Sequence, residues 1–201
     1  MTSPVAISGL PFPLTASDSS AWRLSADVVA ATATQKSDLF ADPAGDGASQ
    51  LNALTLLGEP PAGDFTFEAR VRVGFRDVFD AGVLLVWVDE GHWAKLCFEY
   101  SADREPMVVS VVTRGVSDDA NGFVVDGDEV HLRVSRIGRS LAFHASTDGT
   151  RWIFVRNFAL PGSEAARIGF EAQSPMGPGC HVEFTDTAYA QRTLADLRDG
   201  S

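Results

Sequence analysis

In the run Trp93-Ala94-Lys95-Leu96-Cys97-Phe98-Glu99-Tyr100, side chains able to stack, donate and accept recur at every second position. A strand turns alternate residues to opposite faces, so Trp93, Lys95, Cys97 and Glu99 share one side and Ala94, Leu96, Phe98 and Tyr100 the other. With the second set in the core, the first lines an outer, concave sheet surface. There an indole stacks on a sugar ring while an ammonium and a carboxylate bond its hydroxyls. The plainer reading is a same-face ion pair, Lys95 with Glu99, of modest worth. Ser110 is read on the exposed phase of Val108-Val109-Ser110-Val111-Val112-Thr113, and Ser117-Asp118-Asp119 as a loop just beyond, so that together they rim a pocket.

Other chemistries find less support. Glycoside hydrolysis needs two carboxyl groups at a fixed separation, one with a raised pKa. Glu99 can be paired on paper with Asp80, Asp118 or Asp38, but the Glu-x-Asp-x-x-Glu strand of sandwich hydrolases is absent, and a weak glycosidase stays the lesser alternative. His92, His131, His144 and His181 have no HxxxH or HExxH spacing, and no cofactor is expected. The Asp-rich loop Asp38 to Asp46 offers oxygen ligands for calcium, lacks EF-hand spacing, and is read first as a plain loop. Cys97 and Cys180 form no CxxC pair and are read as free thiols. Nucleophile elbow, phosphate loop and dinucleotide fingerprint are all missing.

The elements that must carry these residues are strands. From Asp64 to Tyr189 the chain breaks into short runs rich in Val, Phe, Ile and Trp, separated by Gly, Asp, Asn and Pro, the mark of an all-β domain. Strands are predicted near 64–73, 81–88, 93–100, 107–113, 129–136, 140–146, 151–157, 166–174 and 180–188, with two or three more between Trp22 and Leu57. In Phe65-Thr66-Phe67-Glu68-Ala69-Arg70-Val71-Arg72-Val73 the odd positions are apolar and the even ones polar, which buries one face in an antiparallel sheet. Residues 81–88 are apolar on both phases, as a central strand covered on both faces requires. Asp148-Gly149 suits a tight hairpin, and Trp152 after it is expected to anchor the core. The first 20 residues are read as a closing strand or an arm, and Leu194 and Leu197 stand at the spacing of a short terminal helix.

A chain of 201 residues with 13 Phe and 4 Trp can bury a sizeable single core, about 22–189, flanked by an N-terminal arm and a short C-terminal tail. The formal charge of -11 argues against nucleic acid and anionic membranes, because both are bound chiefly through Lys and Arg. The longest apolar run, Ala81 to Val88, is too short to span a bilayer, and no secretory signal is read at the N-terminus, so a cytoplasmic location is expected.

Several strings then follow one another in a known order: Lys36-Ser37-Asp38-Leu39-Phe40, Gly63-Asp64-Phe65-Thr66-Phe67, Asp80-Ala81-Gly82-Val83, Trp93 to Tyr100, Ser110-Val111-Val112-Thr113, Asp148-Gly149-x-x-Trp152, and Gly169-Phe170-x-Ala172-x-Ser174-Pro175. Over about Trp22 to Tyr189 the chain resembles the concanavalin A-like lectin/glucanase family that includes the fungal "regulation of enolase" protein. The resemblance implies a jelly-roll β-sandwich of two antiparallel sheets, and marks Asp38, Trp93, Lys95, Glu99, Ser110 and Ser174 as matching positions. Where members commonly read Asp-Gln-Ala-Gly, this chain has Phe79-Asp80-Ala81-Gly82, which leaves the role of Asp80 open.

The functional expectation is a non-catalytic module that binds a carbohydrate or small polyhydroxylated metabolite through Trp93, Lys95, Glu99 and Ser110, with Asp38, Asp80, Asp118 and Ser174 around them. The alternative is a regulatory subunit that uses the same face on a protein partner, either a metabolic enzyme or a second copy.

Overall fold

The computed structural model describes residues 3–45 and 49–201. In chain order its strands are β1 (Thr15–Ala16), β2 (Trp22–Leu24), β3 (Val29–Thr32), β4 (Leu39–Phe40), β5 (Gln50–Leu51), β6 (Leu54–Gly58), β7 (Phe65–Gly74) and β8 (Ala81–Asp89). They continue with β9 (His92–Tyr100), β10 (Pro106–Arg114), β11 (Val116–Val124), β12 (Glu129–Ile137), β13 (Ser140–Ser146), β14 (Ile153–Phe158), β15 (Arg167–Gln173) and β16 (His181–Ala190).

Two antiparallel sheets of seven strands form the jelly-roll sandwich expected from the sequence. One runs β1-β6-β15-β8-β9-β10-β11 and the other β14-β13-β12-β7-β16-β3-β2, while β4 and β5 make a separate hairpin. Alternation decides what lies between the sheets. Phe65, Phe67, Ala69, Val71 and Val73 of β7 face Leu84 and Val86 of β8, Ala94, Leu96 and Phe98 of β9, and Phe170 of β15 in one continuous apolar cluster. Each fully buried Phe or Leu there contributes about 2–3 kcal/mol from its removal from water. The N-terminal segment is not a loose arm, because Ile7, Phe12, Leu14 and Ala16 join that cluster and β1 pairs with β6.

Some elements differ from the sequence reading. Ser117-Asp118-Asp119, read as a loop, lie in the edge strand β11, whose polar composition hides it from a hydrophobic pattern. The tail after Gln191 forms no helix. It lies against the outer face of the second sheet, where Arg133 Nη1 donates to the Gly200 carbonyl (2.8 Å), His144 Nε2 to that of Leu197 (2.8 Å) and Arg192 Nε to the Thr66 hydroxyl (3.4 Å). Trp152 belongs to that outer face and not to the core, with the Arg133 guanidinium 3.6 Å from its ring centre. The Asp148-Gly149 turn forms as expected, with Gly149 at φ 73° and the Asp148 carboxylate accepting from the Thr150 and Arg151 amides. Both cysteines are free and buried. Among the described residues no helix is long and apolar enough to cross a membrane.

Candidate functional site

The outer face of the first sheet is built in rows, because residues paired across strands point the same way. Gln173, Ala81 and Glu99 form one row, followed by Glu171, Val83, Cys97 and Val109, and then Leu85, Lys95, Val111 and Asp119. The phase read for β9 therefore holds, with Trp93, Lys95, Cys97 and Glu99 turned away from the inter-sheet core.

That face is not bare. The β4–β5 hairpin lies over it and is tied down at both ends. Near β15, the Ser37 amide donates to the Ser174 carbonyl (3.3 Å) and the Ser174 amide to the Ser37 hydroxyl (3.1 Å). Near β11, the Ala41 amide donates to the Ser117 hydroxyl (2.9 Å) and the Ser117 amide to the Ala41 carbonyl (2.8 Å). Asn52 braces the hairpin from within, its side-chain amide donating to the Lys36 carbonyl (3.0 Å) and its side-chain oxygen accepting from the Asp38 amide (3.0 Å).

Between hairpin and sheet lies a pocket of about 300 Å³, with Asp38, Phe40, Phe79, Lys95, Glu99, Val109, Val111, Asp119, Gln173 and Met176 in its lining. This is the lower end of the range used for small-molecule ligands. Lys95 is its centre. Its side chain is 2% exposed, and Nζ donates to Gln173 Oε1 at 2.8 Å and to Asp38 Oδ1 at 3.2 Å. Burial opposes its charge, but the Asp38 and Glu171 carboxyl groups outweigh that and hold its pKa above the ordinary lysine value. Burial also pushes the Glu99 carboxyl up to about 7, with Asp38 and Asp119 adding repulsion that Lys95 only partly offsets. Glu171 is fully buried and pushed up to about 8 by the same burial, with Asp38 and Glu99 adding to it. Neither of its carboxyl oxygens has a hydrogen-bond partner among the described residues.

The pocket's rim carries a strained aromatic. Phe79 stands at φ 67°, a conformation rare for a bulky residue, and its side chain is left 37% exposed. Its amide donates to the Tyr100 carbonyl (2.7 Å), and its carbonyl accepts from Gln173 Nε2 (3.1 Å). Gln173 thus fixes Lys95 with its oxygen and Phe79 with its nitrogen.

Of the eight residues expected at the site, Asp38, Lys95 and Glu99 line the pocket. The other five need correction. Trp93 is wholly buried beneath Leu39, Ala53, Leu57, Leu85 and Val111, so its indole is a packing element and no open platform. Ser110 pairs with Leu96 and so faces the inter-sheet core, where Arg156 Nη1 approaches its hydroxyl at 3.4 Å. Asp118 lies on the phase opposite to Asp119 and pairs with Arg156 at 3.0 Å. Asp80 and Ser174 are fully buried and hold each other, Ser174 Oγ donating to Asp80 Oδ1 at 2.6 Å, while Asp80 Oδ2 accepts the Arg76 and Asp77 amides. They shape the loop beside the pocket and do not face into it. The same-face ion pair Lys95–Glu99 is replaced by Lys95–Asp38.

Asp119, read from the sequence only as part of a rim loop, lines the pocket, and Phe79 and Gln173 in the lining and Glu171 buried beside it were not singled out from the sequence. A signal for two of them existed, since Gly169, Glu171 and Gln173 alternate with Ile168, Phe170 and Ala172 and mark a non-core face on β15. The carboxyl pairs considered for hydrolysis shrink accordingly to Glu99 with Asp38, and Asp38 is tied to Lys95. The calcium reading of the loop Asp38 to Asp46 extends to Asp46, outside the described residues, and within it Asp42 Oδ1 already accepts the Ala44 amide at 2.8 Å.

Comparison with known proteins places this architecture. The chain is similar to "Regulation of enolase protein 1" of Saccharomyces cerevisiae, 32% identical over 146 residues, which cover 70% of this chain and 73% of the yeast protein. In fold it is similar to a crystal structure of a functionally unknown protein from Saccharomyces cerevisiae, with TM-score 0.80, 26% identity, and coverage of 89% of this chain and 96% of that one. It is also similar in fold to a mutant of the GH43 protein BlXynB from Bacillus licheniformis, with TM-score 0.71, 13% identity, and coverage of 90% of this chain but 37% of that one. A family model described as "Protein of unknown function (DUF1349)" matches residues 16–192, and the chain belongs to that family.

Proposed function

We propose that the chain is a non-catalytic binding module for a small polyhydroxylated ligand, held in the pocket between the β4–β5 hairpin and the first sheet. The observation that carries this reading is Phe79, an aromatic kept at φ 67° and left 37% exposed on the rim of a pocket whose lining mixes apolar groups with Asp38, Lys95, Glu99 and Gln173. Strain of this kind costs on the order of 1–3 kcal/mol and persists where surrounding structure enforces it, commonly at ligand sites. A sugar ring lying on Phe79, with Val109, Val111 and Met176 around it, would present hydroxyls to Glu99, Asp38 and the Lys95–Gln173 pair. Trp93 takes no part.

The test is a thermal-shift and calorimetric screen of monosaccharides, short oligosaccharides and polyols. A ligand that raises the melting temperature of the wild type but not of Phe79→Ala supports the reading; a folded wild type that responds to no member of the panel removes it.

A second reading is supported by the name of the yeast relative, which speaks of regulating enolase. In this reading the chain is a cytoplasmic regulatory subunit whose partner is a metabolic enzyme. Co-purification of such an enzyme, undisturbed by Phe79→Ala and Glu99→Gln, would favour it over the pocket.

A further inference from the structure

The pocket's charges are unequal. Its one cation among the described residues, Lys95, already gives two of its three N–H donors to Asp38 and Gln173. Against it stand Asp38, Glu99 and Asp119 in the lining, with Glu171 fully buried on the same sheet face one row from Lys95. Glu99 and Asp119 make no side-chain hydrogen bond or ion pair among the described residues, and Glu171 has no partner for either oxygen. Glu99 and Asp119, in one pocket lining and without hydrogen bonds of their own, lack donors that a ligand can supply.

We infer that the ligand carries a primary ammonium group beside its hydroxyls, as an amino sugar does, and that this ammonium sits against Glu99 and Asp119. The inference rests on the binding-pocket reading and deepens it. A bound ammonium supplies three N–H donors and one positive charge, which is what the unpartnered carboxyl groups lack. The rings of Phe40 and Phe79 in the same lining favour a cation over their faces. A phosphate or carboxylate on the ligand would meet Asp38, Glu99 and Asp119, with only the third donor of an already neutralised Lys95 to offset them. Sugar phosphates and sugar acids are therefore rejected.

The experiment is isothermal titration of glucosamine, galactosamine and mannosamine, each beside its parent hexose, its N-acetyl derivative and its 6-phosphate. The expected result is one amino sugar bound at least about tenfold more tightly than its parent and its N-acetyl form, with no binding of the phosphate. In Asp119→Asn, whose exposed side chain leaves the fold intact, the amine preference shrinks while parent-hexose affinity stays. Equal affinity for amine and parent, or tighter binding of a phosphate, overturns the ammonium inference and leaves the pocket reading standing. Absence of binding by every sugar to a folded wild type overturns both.

Discussion

Lys95 Nζ and Gln173 Oε1 lie 2.8 Å apart although their strands, β9 and β15, are separated by β8. The contact crosses β8 on the face that also carries Ala81, Val83 and Leu85, and the hairpin residue Asp38 meets the ammonium at 3.2 Å. Sheet and hairpin thus share one buried charge.

Removing that charge should be costly. Lys95→Met is expected to destabilise by about 3–5 kcal/mol, because it leaves the Asp38 carboxylate without its cation. Adding Asp38→Asn to Lys95→Met should restore part of the loss. Urea unfolding of the two single variants and the double variant measures the coupling, and an additive result would show that Asp38 and Lys95 act independently.

Glu171 sets a pH dependence. Its carboxyl group ionises near 4.5 in the unfolded chain and at about 8 in the fold, so between these values the native state holds a proton that the unfolded state has lost. Stability contributed by this group falls as pH rises through that window, and Glu99, pushed up to about 7, acts in the same direction. His144 opposes them on the acid side: burial lowers its pKa from 6.5, so its contribution grows as pH rises towards 6.5. The test is therefore a difference: Glu171→Gln minus wild type should become more favourable from pH 5 to 8.5, by up to about 4 kcal/mol at about 1.4 kcal/mol per pH unit of the window. A flat difference would mean the carboxyl is solvated. Lys95, Cys97, Asp38 and Glu99 interact with it, so the profile is to be measured with these unchanged.

Phe79 separates strain from recognition. Phe79→Gly and Phe79→Ala both lose the ring, but only Gly adopts φ 67° without steric cost. Phe79→Gly should be more stable than Phe79→Ala by about 1 kcal/mol, and both should lose ligand binding. Thermal melts of the pair decide it; equal stabilities would mean that the backbone relaxes once the ring is gone.

Trp93→Ala should behave as a core lesion. The indole is fully buried against Leu39, Leu57 and Leu85, and its loss is expected to cost about 3–5 kcal/mol. Guanidinium unfolding checks this. A folded Trp93→Ala protein of unchanged stability that has lost binding would return Trp93 to the site.

The contrast between Trp93 and Lys95 shows what was legible in the sequence. The alternation of β9 assigned both to the correct face, and the apolar runs located most strands of the sandwich. The alternation carried no information about a cover, because the hairpin that seals Trp93 comes from residues 39–51, far away in the chain. Ser110 was misphased for a different reason: Val108, Val109, Val111 and Val112 are apolar on both phases, so β10 offered no polar side to choose. In Ser117-Asp118-Asp119 the polar residues read as a loop, whereas they are an edge strand, and one step of register decides that Asp119 lines the pocket and Asp118 does not.

The hairpin contributes Asp38 and Phe40 to the pocket yet belongs to neither sheet. Selectivity can therefore be retuned by exchanging a short surface flap, while the sandwich beneath keeps its packing. Divergence among relatives that share this scaffold would be expected to concentrate in residues 39–51, a natural place to graft a new preference.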